Sequence, residues 1–183
     1  PLVLVTRSTV FLLQDCSVHN TKGIFLLLAN INKVAIVRVN LMLNVLQGTD
    51  KKTPLGILIL NDVNLFVLSN SYFRDIKGTL LRVEKAMVTV LQMNTFKKCE
   101  GVDSAVLDMK ISDFNSKRTV VIQSCRFLYC SSQSQGGAVS IRSDHLFRMQ
   151  NGYRLEINIA KSLFENCIAK QEGGALSLNL TAT

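Results

Sequence analysis

The chain has 183 residues, 48% of them apolar, which is enough for one domain to bury a sizeable core and excludes a disordered segment. The formal charge of +8 is scattered, with basic residues adjacent at most in pairs (Lys51-Lys52, Lys97-Lys98, Lys117-Arg118) and acids between many of them. There is neither an aromatic stripe nor a recognition helix, so no nucleic-acid partner is expected.

The longest apolar runs, Ile24 to Ala29 and Leu55 to Leu60, fall far short of a membrane span. Val, Ile, Leu and Phe dominate, Trp is absent and Pro occurs twice, a balance that favours sheet. In chain order the predicted elements form six repeats. Pro1 to Val5 enters as a strand, followed by Phe11 and Leu13 on one strand face, a bend at Cys16, an anchor at Val18, and a second strand carrying Phe25 and Leu27. The second repeat places Val39 and Leu41, Asn44, Leu46, then Leu58 and Leu60 beyond an insert at Gly48 to Leu55. The third has Phe66, Leu68, Ser71, Phe73, Leu81 and Val83; the fourth has Thr89, Leu91, Asn94, Phe96, Leu107 and Met109. After an insert at Lys110 to Thr119, the fifth has Val120, Ile122, Cys125, Phe127, Val139 and Ile141. After a third insert at Arg142 to Tyr153, the sixth has Ile157, Ile159, Ser162, Phe164, Leu176 and Leu178. Alternating residues share a strand face, and small residues suit the bend.

The anchors Val18, Leu46, Phe73, Phe96, Phe127 and Phe164 are separated by 28, 27, 23, 31 and 37 residues. No capped 3.6-residue apolar stripe lies between them, which argues against βαβ units. The predicted fold is an all-β, right-handed parallel β-helix of about six coils of 23-37 residues, one segment spanning 1-183. A leucine-rich repeat, the main alternative, accommodates the second strand badly. Phe73, Phe96, Phe127 and Phe164 are read as an internal ladder. Gly136 and Gly173 are read as positive-φ turns, and Gly137 and Gly174 as sites of close backbone packing.

The last two repeats carry a shared motif: Phe127-Leu128-Tyr129-Cys130 with Gly136-Gly137-Ala138-Val139, and Phe164-Glu165-Asn166-Cys167 with Gly173-Gly174-Ala175-Leu176. This resembles the repeats of the polymorphic outer-membrane protein family and of related large protist surface proteins. The resemblance covers roughly residues 120 to 180. It implies a right-handed β-helix in an extracellular or cell-surface protein with a structural or adhesive role, and no catalytic residues.

Cys99, Cys130 and Cys167 fall in one column and are read as a buried thiol ladder, since side chains pointing the same way from parallel strands seldom reach disulfide torsions. No Cys-x-x-Cys occurs and His19 and His145 lack ligand spacing, so neither a metal nor another cofactor is expected. The runner-up function is a glycan-binding or polysaccharide-processing module. Its carboxylates would have to converge from neighbouring coils, and the outward columns show no acidic cluster. Asp113, Asp144 and Glu156 on the inserts have no motif behind them. Tyr72, Tyr129, Phe147 and Tyr153 are the aromatics available to a sugar. Outward Leu26 and Ile59 suggest a protein partner over the first two coils. Asn179-Leu180-Thr181 is the one glycosylation sequon. Both ends of the rod are expected to expose strand edges and to continue into further coils of a longer polypeptide or stack on copies of itself.

Overall fold

A computed structural model describes residues 3–20, 23–42, 56–111, 117–143 and 154–180. All nineteen strands among them are paired in parallel, and no helix occurs among the described residues. The pairing forms three ladders that the chain visits in turn. The first joins Val3–Thr6, the leading parts of Leu26–Val37 and Gly56–Ser69, then Thr79–Glu84, Leu107–Ile111, Val139–Ser143 and Leu176–Asn179. The second joins Val10–Gln14, the trailing parts of the same two long strands, then Val88–Gln92, Arg118–Gln123 and Leu155–Ala160. The third joins Ser17–His19, Asn40–Met42, Tyr72–Lys77, Thr95–Gly101, Arg126–Leu128 and Leu163–Glu165. The chain is therefore all-β, with an eleven-stranded and an eight-stranded parallel sheet.

Left-handed residues separate the ladders. Among the described residues, the fifteen non-glycine residues with positive φ fall into three columns: Arg7, Asn30, Asp62 and Lys85 between the first and second ladders; Asp15, Arg38, Asn70, Met93, Ser124 and Lys161 between the second and third; and Asn20, Asp75, Lys98, Tyr129 and Asn166 within the third. One left-handed residue reverses the pleat and turns the strand, at a cost of roughly 1 kcal/mol for an L residue other than Gly. Asn and Asp tolerate this conformation best. Arg, Lys, Met and Tyr occupy it here because ladder pairing on both sides leaves the backbone no alternative.

The residue after the second corner explains the small side chains of the bend column. Ser71 Oγ accepts from Val39 N at 3.0 Å, Asn94 Oδ1 accepts from Ser71 N at 2.9 Å, and Ser162 Oγ accepts from Cys125 N at 3.1 Å. Each side chain thus satisfies a backbone N–H of the preceding repeat that the turn removes from the ladder. Asn94 Nδ2 also donates to Leu68 O at 2.8 Å.

Two registers differ from the sequence expectation. The third-ladder column is Val18, Leu41, Phe73, Phe96, Phe127 and Phe164, so the second anchor is Leu41, and Leu46 lies outside the described residues. The second-ladder partners are Val34 and Ile36 in place of Val39 and Leu41. Apolar residues at 34, 36, 39 and 41 make a slip of five invisible to an apolar pattern, and the column spacings become 23, 32, 23, 31 and 37 residues. In the first repeat the slip is one residue: Leu26 and Leu28, not Phe25 and Leu27, pair with Leu58 and Leu60. A one-residue slip exchanges the two faces of a strand, so Leu26 belongs to the core, 1% exposed, and Leu27 takes the outward position beside Ile59. This corrects the assignment of Leu26 to a partner-facing surface.

The core fills the space between the ladders. Its inward columns are buried through the middle repeats and only partly buried at Phe11, Leu13 and Val18 in the first and at Ile157, Ile159 and Phe164 in the last. Strands of the first ladder are buried on both faces around Thr79–Glu84 and Leu107–Ile111. Such two-sided burial accounts for continuous apolar runs in parallel strands. Gly137 has backbone from Gly174 and Ile168 where a Cβ would sit, whereas Gly174 has open space and φ of 48°, so it serves as a left-handed residue and not as a close-packing one.

Candidate functional site

Four features of the fold are candidate sites, and the first is the aromatic column. Phe73, Phe96, Phe127 and Phe164 stack face to face with centroids 5.2, 5.0 and 4.5 Å apart and interplanar angles of 14, 19 and 4°. The first three are fully buried and Phe164 half-buried. Parallel in-register pairing forces this geometry, because equivalent side chains recur about 4.8 Å apart. The rings offer nothing to a ligand.

Cys99, Cys130 and Cys167 stand on successive third-ladder repeats, and all five cysteines are free. Cys130 Sγ lies 3.9 Å from Phe96 O and Cys167 Sγ 3.4 Å from Phe127 O, each leaning back onto the preceding repeat. The hydrogen bond to Cys130, followed by burial, pushes the Cys167 thiol well above its ordinary range. For Cys130 the hydrogen bond with Cys167 acts downward, but the bond with Cys99 and burial outweigh it and the thiol is also raised. Burial likewise raises Cys125. Thiols held neutral in this way are poor nucleophiles and poor metal ligands. No group of three His, Cys, Asp or Glu side chains able to hold a metal occurs among the described residues.

A charged cluster sits on the outward face of the first ladder, where the column reads Leu27, Ile59, Arg82, Asp108, Ser140 and Ser177. Asp108 Oδ2 takes Arg142 Nη2 at 3.1 Å and Arg82 Nη1 at 3.4 Å. Asp103 meets Arg142 at 3.2 Å, and Glu84 meets Arg82 at 3.1 Å. Asp108 is 1% exposed, and its Oδ1, like the neighbouring Ser140 Oγ, has no hydrogen-bond partner. Burial pushes the Asp108 carboxyl up, against the pull of Arg142 and Arg82. The sequence places Arg82 and Asp108 in one outward column; their burial has no sequence signal. A carboxyl closed to solvent and clamped by two guanidiniums has no access to a substrate in this conformation.

The last feature is a groove of about 440 Å³ at the corner between the first and second ladders of the first three repeats. It is lined by Arg7, Ser8, Thr9, Asn30, Ile31, Asn32, Asp62 and Asn64. Nothing in the sequence reading singled it out, because its residues converge only once the second repeat is placed in register.

The remaining sequence candidates are dispersed. Tyr129 is exposed at a left-handed corner, Tyr72 is half-buried on the outward face of the third ladder, and Phe147, Tyr153, Asp113, Asp144 and His145 lie outside the described residues. Glu156 pairs with Lys117 at 3.2 Å. Asn179 is exposed on the strand Leu176–Asn179. No family model, curated protein or solved structure matches the chain.

Proposed function

We propose that the chain is a right-handed parallel β-helix acting as a non-catalytic structural or adhesive scaffold of an extracellular or cell-surface protein. The observation that carries this reading is a contrast between interior and exterior. Inward columns keep their chemistry from repeat to repeat, while outward columns such as Tyr72, Thr95, Arg126 and Leu163 share none. The order first, second, third, first ladder, repeated with parallel neighbours throughout, supports a solenoid path, and the near-universal handedness of parallel crossovers supports a right-handed one. The resemblance of the Gly-Gly repeats and the exposed Asn179 support the surface assignment.

The proposed partners follow from the stack. Val3 and Leu4 at one end, and Leu163 and Leu178 at the other, are exposed apolar residues beside strand edges. Further coils of the same polypeptide, or copies stacked head to tail, would cover such edges. Half-exposed Leu27 and Ile59 offer a second, smaller contact for a protein partner.

Spin labels introduced as unnatural amino acids at Ser17 and Leu163 test the architecture. These positions share one third-ladder column, five steps apart. Straight stacking gives a separation of about 24 Å. A clearly shorter distance, as expected if the ladders curl into a closed barrel, rejects the solenoid. Sedimentation velocity across a concentration series tests assembly, and a monomer at all concentrations removes self-stacking as the covering of the edges.

A further inference from the structure

We propose that the groove at the first corner is a binding site for a neutral, extended glycan chain lying along the stacking direction. Two columns form it. Arg7, Asn30 and Asp62 are left-handed corner residues, and turn chemistry alone accounts for Asn and Asp there. The second column, Thr9, Asn32 and Asn64, is not explained that way. Asn32 and Asn64 lie inside the long strands Leu26–Val37 and Gly56–Ser69, where Asn is disfavoured, and neither has positive φ. Both are exposed, so no core polar group requires them. In the next repeat the corresponding exposed position is Met87, so the amide run is confined to the groove.

The geometry suits polyhydroxyl chains. Asn64 Nδ2 donates to Asn32 Oδ1 at 2.9 Å, which fixes the two amides relative to each other and leaves Asn32 Nδ2 and Asn64 Oδ1 unpaired as a donor and an acceptor. That is the pairing a hydroxyl, both donor and acceptor, can satisfy. Successive members of each column recur about 4.8 Å apart, close to the advance of one sugar in an extended 1,4-linked chain. Among the described residues Arg7 and Asp62 form no ion pair. Their charges lie two repeats apart and balance, which favours a neutral chain over a polyanion. With no aromatic platform in the lining, hydrogen bonds supply the recognition. This inference concerns a ligand and does not depend on the scaffold being adhesive.

The test is titration of the full chain with neutral hexasaccharides of β-1,4-linked glucose, mannose and N-acetylglucosamine, followed by amide chemical shifts. At least one binds, and Asn32→Ala/Asn64→Ala weakens it at least tenfold while Tyr129→Ala leaves it unchanged. Asn32→Asp, nearly isosteric, makes the same test with the same expected loss if the double variant does not fold. Failure of all three sugars to bind, undiminished binding by the variants, or binding confined to sulfated hexasaccharides and lost in Arg7→Gln overturns the proposal.

Discussion

Phe96→Ala is the sharpest test of the stacked core. Phe96 is fully buried, with rings on both sides at 5.2 and 5.0 Å. Removing such a side chain costs about 3–5 kcal/mol through lost transfer energy and the cavity left behind. Flanking repeats are held by their own ladder hydrogen bonds and cannot collapse into the space, so the upper half of that range is expected. Phe164→Ala removes the same atoms from a half-buried position with one stacked neighbour at 4.5 Å, and about half the loss, roughly 1.5–2.5 kcal/mol, is expected. Urea unfolding read by far-UV circular dichroism gives both values. Hydrogen exchange of the Thr95–Gly101 amides gives the local value if the transition is not two-state, as in repeat arrays. A Phe73/Phe96 double-mutant cycle should yield a coupling of about 0.5–1.5 kcal/mol. Equal costs for Phe96 and Phe164, or a coupling of zero, would refute the reasoning that stacking across repeats stabilises the core.

Two further outcomes follow from buried polar groups. Thr89 occupies the inward column between Phe66 and Val120, fully buried, with its hydroxyl unpartnered. Thr89→Val keeps the shape, removes an unsatisfied group and should raise stability by about 1–2 kcal/mol in urea unfolding; a fall would mean that the hydroxyl is bonded. For Asp108, burial lifts the carboxyl above its ordinary value, so the folded state holds that proton more tightly than the unfolded chain. The penalty of the charged form is absent below the unfolded value, grows as pH rises through the window up to the raised folded one, and persists at neutral pH. Wild type should therefore gain on Asp108→Asn as pH falls from 7 to 4. If wild type instead falls further behind, the guanidinium clamp outweighs burial.

How much of this was legible in the sequence depended on side-chain variety. The third-ladder column was readable from Phe73 onward because Phe is large and recurs with the bend residue two positions earlier. Val34, Ile36, Val39 and Leu41 are interchangeable to an apolar pattern, so the second repeat slipped by five. Leu26, Leu27 and Leu28 are identical, so the first slipped by one. The corners were illegible for a different reason. A left-handed residue is usually announced by Gly, and here Arg7, Lys85, Met93 and Tyr129 take the conformation because pairing on either side imposes it. The groove shared that fate, since Asn32 and Asn64 become neighbours only in the corrected register.

The contrast between interior and exterior has one physical source. Parallel in-register pairing sets equivalent residues about 4.8 Å apart, a spacing that rewards like with like when the groups are apolar, aromatic or amide and penalises it when they carry the same charge. Hence Phe stacks on Phe and Asn64 reaches Asn32 inside their columns, and ion pairs join opposite charges of neighbouring repeats: Asp15 with Arg38, whose hydrogen bond holds the Asp15 carboxyl down at about 2, and Arg82 with Asp108, although Lys97 also stands in register with Arg74 and Lys110 with Arg142. A cluster of carboxylates drawn from successive repeats, as glycan-cleaving chemistry needs, would work against this rule and require a cation or a perturbed proton to hold it. Asp108, a carboxyl that burial lifts, lies against two arginines instead. The same spacing that builds the core therefore makes a column of unpaired carboxylates costly and leaves an amide pair such as Asn32 and Asn64 free of that cost.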